Sequence, residues 1–152
     1  RQESLHRESF VFVVGASHPL GNLERVISWA DLRPYRWIAP LRGSPAFMTL
    51  AETLSAHEIV LEGIDVESSS LALNIALIKS GDFVAILPLS VARSHMVRGN
   101  MRVLSLPPLE ALGEVVAYWR TDSTVPAVSL FNECLKEASA DLFNEQSRAG
   151  SA

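Results

Sequence analysis

The sequence predicts an α/β domain with a mixed, mainly parallel sheet, and three observations lead to this prediction. Short apolar runs that are typical of strands alternate with longer segments whose apolar residues have helical spacing. Residues 83–87 (FVAIL) are apolar throughout, as expected for a strand that is buried on both faces. Glycine, proline and serine residues separate these runs, so the elements follow a repeated strand–helix order.

The first four elements are two strands and two helices. Residues 10–14 (FVFVV) form a β-branched and aromatic run, and residues 36–39 (RWIA) form a shorter run that a proline closes. Helical spacing of apolar residues predicts a short helix over 23–30. A second helix is predicted from residue 45 to about residue 57. Its apolar face consists of Phe47, Leu50, Ala51 and Leu54.

The remaining elements follow the same alternation. A helix predicted over 71–79 is apolar almost all round, so we expect it to be deeply packed. The last helix, near 126–142, has an apolar stripe that includes Cys134, which we expect to be a packed hydrophobe. The polar segment after residue 143 is expected to fray. Further strands are predicted at 59–66, 83–87, 101–106 and 114–120, and a short helix at 88–96.

Composition excludes several classes of function. The chain has 152 residues, which fits one domain or one compact lobe with additions. Seventeen acidic residues outnumber 13 basic ones, which disfavours direct binding of DNA or RNA. The longest apolar stretch, residues 83–89, is far shorter than the ~20 residues that span a bilayer. The polar N-terminus lacks the apolar region of a signal peptide. We therefore expect a cytoplasmic protein with no membrane partner.

The sequence contains no pattern for catalysis, a cofactor or a metal. A single cysteine excludes an internal disulfide framework and a Cys-cluster zinc site. Glycine-rich nucleotide loops and the nucleophile motif of α/β hydrolases are absent. We predict no enzyme, no cofactor and no metal, and a structural hydrogen bond for His18. None of the histidines has metal-ligand spacing; they are His6, His18, His57 and His95.

Two predicted helix starts carry serines that suit an anionic ligand. Gly43 and Ser44 follow the strand at 36–39, and Ser68, Ser69 and Ser70 follow the strand at 59–66. Ligands of open α/β sheets bind beyond the carboxyl ends of strands, where helix N-termini present free N–H groups. The alternative is plain N-capping. Two further candidates lie nearby, namely Arg42, whose guanidinium can pair with a carboxylate, and Pro88.

The order of the motifs resembles the LysR-type transcriptional regulators. The similarity extends from about residue 10 to residue 142, and the motif order makes it specific. It departs from the family in the last helix, where TVPAVSLFNECLKEA replaces a segment with Ser-Pro-Ala. The matching strings are FVFVVGASHPL, WADLRPYRWIAP with Gly43-Ser44 behind it, VESSSLALNIALIKSGDFVAILPLSVA, MRVLSL and EVVAYWR.

This resemblance implies two lobes of the periplasmic-binding-protein type (type 2), joined by crossing strands, with a small metabolite between them. Residues 20–103 are then the second lobe, and residues 1–19 and 104–152 are part of the first lobe with hinge strands. The resemblance places Ser68–Ser70 in the cleft wall. Operator DNA is bound through an N-terminal helix-turn-helix domain that this chain does not contain.

An incomplete first lobe has a consequence for association. The strands near 10–14 and 114–120 and the helix near 126–142 are expected to lose partners and expose apolar surface. We therefore predict a homo-oligomer. Two other functions stay open, namely a solute-binding protein of a transport system and a small α/β hydrolase.

Overall fold

The computed structural model describes the backbone of residues 1–60, 64–109, 114–120 and 126–149, and the side chains of these residues except 126 and 141–149. The chain divides into two compact units, Ser9–Leu112 and Arg1–Glu8 with Gly113–Ala152. The strands are β1 (Gln2–Arg7), β2 (Phe10–Gly15), β3 (Arg36–Ala39), β4 (Val66–Glu67), β5 (Phe83–Pro88), β6 (Met101–Val103) and β7 (Glu114–Tyr118). The α-helices are α1 (Pro45–Ala56), α2 (Leu71–Lys79), α3 (Leu89–Val97) and α4 (Pro126–Ala149).

The larger unit, Ser9–Leu112, is built on a five-stranded sheet in the order β4-β3-β5-β2-β6. Strand β3 is parallel to both β4 and β5, whereas β2 is antiparallel to both β5 and β6. Four strands therefore run in one direction and β2 runs in the other. The predicted α/β class with a mixed, mainly parallel sheet is confirmed.

Both faces of this sheet are buried, because helices cover both sides. Alternate residues of each strand point to opposite sides and therefore belong to different core clusters. On β2, Phe12 and Val14 pack on the face covered by α1, and Val11 and Val13 pack on the face covered by α2 and α3. Leu54 of α1 belongs to the first cluster. Ile78 of α2 and Ala92 of α3 belong to the second. The fully apolar sequence of β5 follows from this burial on both sides.

The segment at 10–14 was expected to lack partners, and this expectation is wrong. Strand β2 lies between β5 and β6, with Phe12 opposite Ile86 and Val13 opposite Val103. Its residues are almost completely buried. The reason is that β2 completes the sheet of the larger unit, so it has a partner on either side.

Two predicted elements differ from the structure, and one strand of the structure was not predicted. The segment 23–30 is not an α-helix, because 3-10 turns form at Pro19–Asn22 and Trp29–Leu32, and Asp31 caps the second turn by accepting the Ser28 N–H at 2.8 Å. The strand predicted at 59–66 forms only at Val66–Glu67, and residues 61–63 lie outside the described residues. Strand β1 was not predicted at all.

Helix α2 is less buried than its apolar sequence predicts. Leu71 and Leu73 are 43% and 47% exposed, and Ile78 is the buried residue of the helix. The expectation of deep packing is therefore wrong. One side of α2 covers the sheet, and the other side faces away from the core.

The smaller unit contains the antiparallel pair β1 and β7 with α4. Helix α4 is tied to β1 by an ion pair between Lys136 and Glu3 at 2.6 Å, and by a hydrogen bond between His6 Nδ1 and Ser139 Oγ at 3.0 Å. Cys134 is exposed, so its predicted packing in a core is wrong. The backbone is helical through Ala149, beyond the predicted end of this helix.

The bounds of the compact units differ from those of the predicted lobes. The units meet at 8/9 and 112/113, whereas the lobe bounds at 19/20 and 103/104 fall inside the larger unit. The pairing of β2 with β5 and β6 accounts for this difference. The assignment of residues 1–19, 20–103 and 104–152 to lobes stays a prediction.

Candidate functional site

The candidate residues lie at one edge of the larger sheet, where β3, β4 and β5 end. Because these strands are parallel, their carboxyl ends share this edge. Helix α1 begins shortly after β3, α2 begins shortly after β4, and α3 begins directly after β5. Binding sites of α/β proteins are found at such edges. We call this part of the larger unit the carboxyl edge.

The start of α1 is capped by Ser44. Its Oγ accepts the N–H of Phe47 at 3.2 Å, and Pro45 occupies the first helical position. Gly43 has φ +80°, a conformation that L side chains rarely adopt. The capping alternative therefore applies at Ser44. Pro45 has no N–H and the Phe47 N–H is taken by Ser44, so the N–H of Ala46 is the first-turn donor that the start of α1 retains for a ligand.

The serine run before α2 has three different environments. Ser70 caps the helix, since its Oγ accepts the Leu73 N–H at 3.4 Å. Ser68 is buried, its N–H donates to the Ala39 carbonyl at 3.0 Å and its Oγ accepts the Ser70 N–H at 3.0 Å. Ser69 is exposed, and within the described part of the chain its hydroxyl has no hydrogen-bond partner. Ser69 is thus the hydroxyl of this run that is open to a ligand.

Arg42 is held by Glu67. The Arg42 Nε donates to Glu67 Oε1 at 2.5 Å, and the guanidinium carbon lies 5.9 Å from the centre of the Phe47 ring. This hydrogen bond lowers the pKa of the Glu67 carboxyl below its usual range. Glu67 has no local sequence pattern that indicates this role, because its contact with Arg42 depends on the parallel register that sets Ala39 opposite Glu67.

Pro88 ends β5 opposite Phe10 and is half-buried. The N–H of Leu89, the first residue of α3, donates to the Ser9 carbonyl at 2.9 Å. The first donor of α3 is therefore already used by the chain. The candidate ligand site is therefore the part of the carboxyl edge formed by the starts of α1 and α2.

His18 lies elsewhere in the larger unit, where it caps the 3-10 turn at Pro19–Asn22. It is fully buried, its Nδ1 accepts the Leu20 N–H at 3.1 Å, and its ring lies 4.5 Å from that of Tyr35. Burial lowers the pKa of its imidazole. Among the described residues, no three His, Cys, Asp or Glu side chains are grouped as a metal site would require. In the same part of the chain no helix is long and apolar enough to cross a membrane.

Comparison with known proteins identifies the family of the chain. The sequence matches the LysR substrate binding domain over residues 1–140. The chain belongs to this family. LysR substrate-binding domains are parts of transcription regulators and are not an enzyme family, and the predicted resemblance is confirmed.

The chain is similar to the HTH-type transcriptional regulator PcaQ of Agrobacterium fabrum (strain C58), with 29% identity over 145 residues. The matched region is 93% of this chain and 46% of the relative. The chain therefore spans about half the length of the curated relative that it matches.

Solved structures give the same fold. The effector domain of AmpR from Pseudomonas aeruginosa matches with a TM-score of 0.72 and 13% identity, over 98% of this chain and 69% of that one. The regulatory domain of CcmR from Synechocystis PCC6803, solved in complex with 2-PG, matches with a TM-score of 0.67 and 16% identity, over 91% of this chain and 66% of that one. At these identities the likeness concerns the fold alone, and the predicted periplasmic-binding-protein-like class is confirmed.

Proposed function

We propose that this LysR substrate-binding domain binds a small, carboxylate-bearing effector at the carboxyl edge of its larger unit. The observation that carries the proposal is the convergence of two helix N-termini at this edge, joined by the hydrogen bond from Ser68 to the Ala39 carbonyl. Helix N-termini attract anions because their free N–H groups and the helix dipole favour negative charge. The exposed hydroxyl of Ser69 adds a neutral donor beside the start of α2.

The proposal assigns a role to each predicted site residue. Gly43, Ser44 and Ser70 shape the two helix starts, and Ser68 fixes the loop between β4 and α2. Ser69 and Arg42 are the side chains that contact the ligand, and Pro88 contributes to the wall after β5. Arg42 is engaged by Glu67 through Nε, so its terminal nitrogens are the part that meets a carboxylate.

In an intact regulator, effector binding shifts the balance between conformations that differ in affinity for the effector. The matched relative is an HTH-type regulator of about twice the matched length, which supports DNA binding through a separate N-terminal domain. We propose that the regulator is located in the cytoplasm.

We also include assembly as a homo-oligomer, and surface residues of the smaller unit support this part. Tyr118 of β7 is 74% exposed, and Leu130 and Phe131 of α4 are each 63% exposed. Exposed apolar side chains of this size on β7 and α4 support a surface that another chain covers. Sedimentation that gives a monomer at high concentration would contradict it.

A thermal-shift screen of carboxylate metabolites on the full-length regulator tests the ligand assignment. 2-PG belongs in the screen because a structural neighbour was solved with it. An effector at about 100 times its dissociation constant stabilises the folded state by about 2.7 kcal/mol. NMR of the ligand after incubation distinguishes this function from that of a small α/β hydrolase. A binding domain leaves the ligand unchanged, whereas a hydrolase converts it.

Serine variants locate the site. We expect Ser69→Ala and Ser68→Ala to reduce the thermal shift, because they remove a ligand donor and the anchor of its loop. Ser55→Ala is the matched control, since Ser55 is an exposed serine near the end of α1, away from the carboxyl edge. If Ser68→Ala and Ser69→Ala leave the shift intact, the serine assignment is wrong.

A further inference from the structure

Glu67 and Arg42 form an ion pair at the carboxyl edge that the proposed ligand site has to accommodate. Glu67 is the last residue of β4 and directly precedes the serine run, and Arg42 lies between β3 and α1. Their side chains are 32% and 64% exposed. The pair therefore lies at the surface between the starts of α1 and α2, where a ligand has access to it.

The carboxylate approaches the guanidinium from one side only. Glu67 accepts from the Arg42 Nε, and the Phe47 ring lies beside the guanidinium. In the part of the chain that the structure describes, no acceptor contacts the two terminal nitrogens of Arg42. A guanidinium has five N–H donors in a planar fork, so one carboxylate on Nε leaves the terminal pair available to a second carboxylate.

The charges at this edge favour one further negative charge. Each helix N-terminus carries roughly half a positive charge, so the starts of α1 and α2 together supply about one. Arg42 and Glu67 cancel each other. Asp65, two residues before Glu67, is paired with Arg36 at 2.8 Å and adds no net charge. The hydrogen bond from Arg42 lowers the pKa of Glu67, so this carboxylate is ionised at neutral pH.

We propose that Glu67 is a specificity-determining residue of the ligand site. It holds Arg42 through Nε and cancels the arginine's charge, so that the site prefers a ligand with one carboxylate over a ligand with two. This inference rests on the proposed function, because it concerns the same site. A second carboxylate on the ligand meets the negative charge of Glu67 instead of an uncompensated cation.

Glu67→Gln tests the inference, because it keeps the shape and an acceptor oxygen but removes the charge. The probes are butanoate and succinate, two four-carbon acids that differ by one carboxylate, titrated into the 152-residue chain at low salt and followed by NMR. We expect wild type to bind butanoate more tightly than succinate. We expect Glu67→Gln to shift this preference toward succinate roughly fivefold, as one removed charge at short range predicts.

Glu58→Gln is the matched control. Glu58 also pairs with an arginine, Arg33 at 3.4 Å, but it follows α1 and is away from the carboxyl edge. An unchanged preference in Glu67→Gln, or an equal shift in Glu58→Gln, would overturn the inference. If the preference is unchanged while Ser69→Ala still weakens butanoate binding, the proposed function stands and the role of Glu67 falls. If neither acid binds wild type or Glu67→Gln, both fall.

Discussion

His18 gives the larger unit a stability that depends on pH. The ring is fully buried, and its Nδ1 accepts the Leu20 N–H, so the proton of the neutral ring is on Nε2. Within the described residues Nε2 meets no acceptor. A second proton would go to Nδ1, where it would face the N–H of Leu20 and break the hydrogen bond that caps the 3-10 turn. The folded chain therefore resists protonation of His18.

The sign and size of the effect follow from proton binding. Desolvation lowers the pKa of His18 in the folded state, and the attraction of Asp82 opposes this only in part. The unfolded chain gains its proton near pH 6.5, whereas the folded chain gains it at a lower pH. Between these two values the free energy of unfolding falls as the pH falls, by up to about 1.4 kcal/mol per pH unit. For a chain of this size, 1 kcal/mol corresponds to roughly 2–4 °C in Tm.

Urea unfolding followed by tryptophan fluorescence between pH 8 and pH 5 measures this slope. His18→Asn offers an acceptor oxygen for Leu20 without titrating in this range, so we expect it to lose the component of the slope that begins at pH 6.5. His57→Asn is the control, because His57 is exposed; since its ring stacks on Trp29 at 4.2 Å, the variants are also followed by circular dichroism. If His18→Asn keeps the wild-type slope, or if NMR shows that His18 titrates at or above pH 6.5, the reasoning is refuted.

Three other predictions concern packing and helix capping in the larger unit and are measured by urea unfolding. Gly15→Ala should lower the free energy of unfolding by at least about 2 kcal/mol, because an added Cβ would lie 2.3 Å from the Ile78 carbonyl oxygen. Gly43→Ala should lower it by only about 1 kcal/mol. An added Cβ there meets no atom within 4 Å, so the cost comes from the positive φ alone. A smaller loss for Gly15 than for Gly43 would contradict this. Ser70→Ala should cost about 1 kcal/mol through the lost helix cap, and no loss would contradict the cap. Leu54→Ala should cost about 2–5 kcal/mol, because Leu54 is fully buried, and a loss below 1 kcal/mol would show that the core collapses around the gap.

Elements with a strong local pattern could be predicted from the sequence. Strand β5 is apolar throughout, and Ser44-Pro45 marks the start of α1, so both lie where the sequence analysis expected them. The capping serines Ser44 and Ser70 were also recognised as helix starts. In each case the information lies within a few neighbouring residues, which is the range that a sequence pattern covers.

Features that depend on distant contacts could not be predicted in this way. Strand β1 (QESLHR) has a single aliphatic residue and is a strand because it pairs with β7. At the candidate site, Arg42 was recognised but Glu67 was not, since their contact follows from the register of β3 and β4. The exposed side of α2 was missed because an apolar helix sequence does not tell which side will be covered.

Residues near the two ends of the larger unit contact each other, and this contact affects how the chain folds. Phe10 and Leu109 form an antiparallel bridge, in which the Leu109 N–H donates to the Phe10 carbonyl at 2.8 Å. The N-terminal amine of the smaller unit bonds the Trp119 carbonyl, which is 118 positions away. Once the larger unit has folded, Phe10 and Leu109 are held together, so the effective loop between β1 and β7 is much shorter than their separation in the sequence. Pairing β1 with β7 then costs far less chain entropy. We therefore expect the larger unit to fold before β1 pairs with β7.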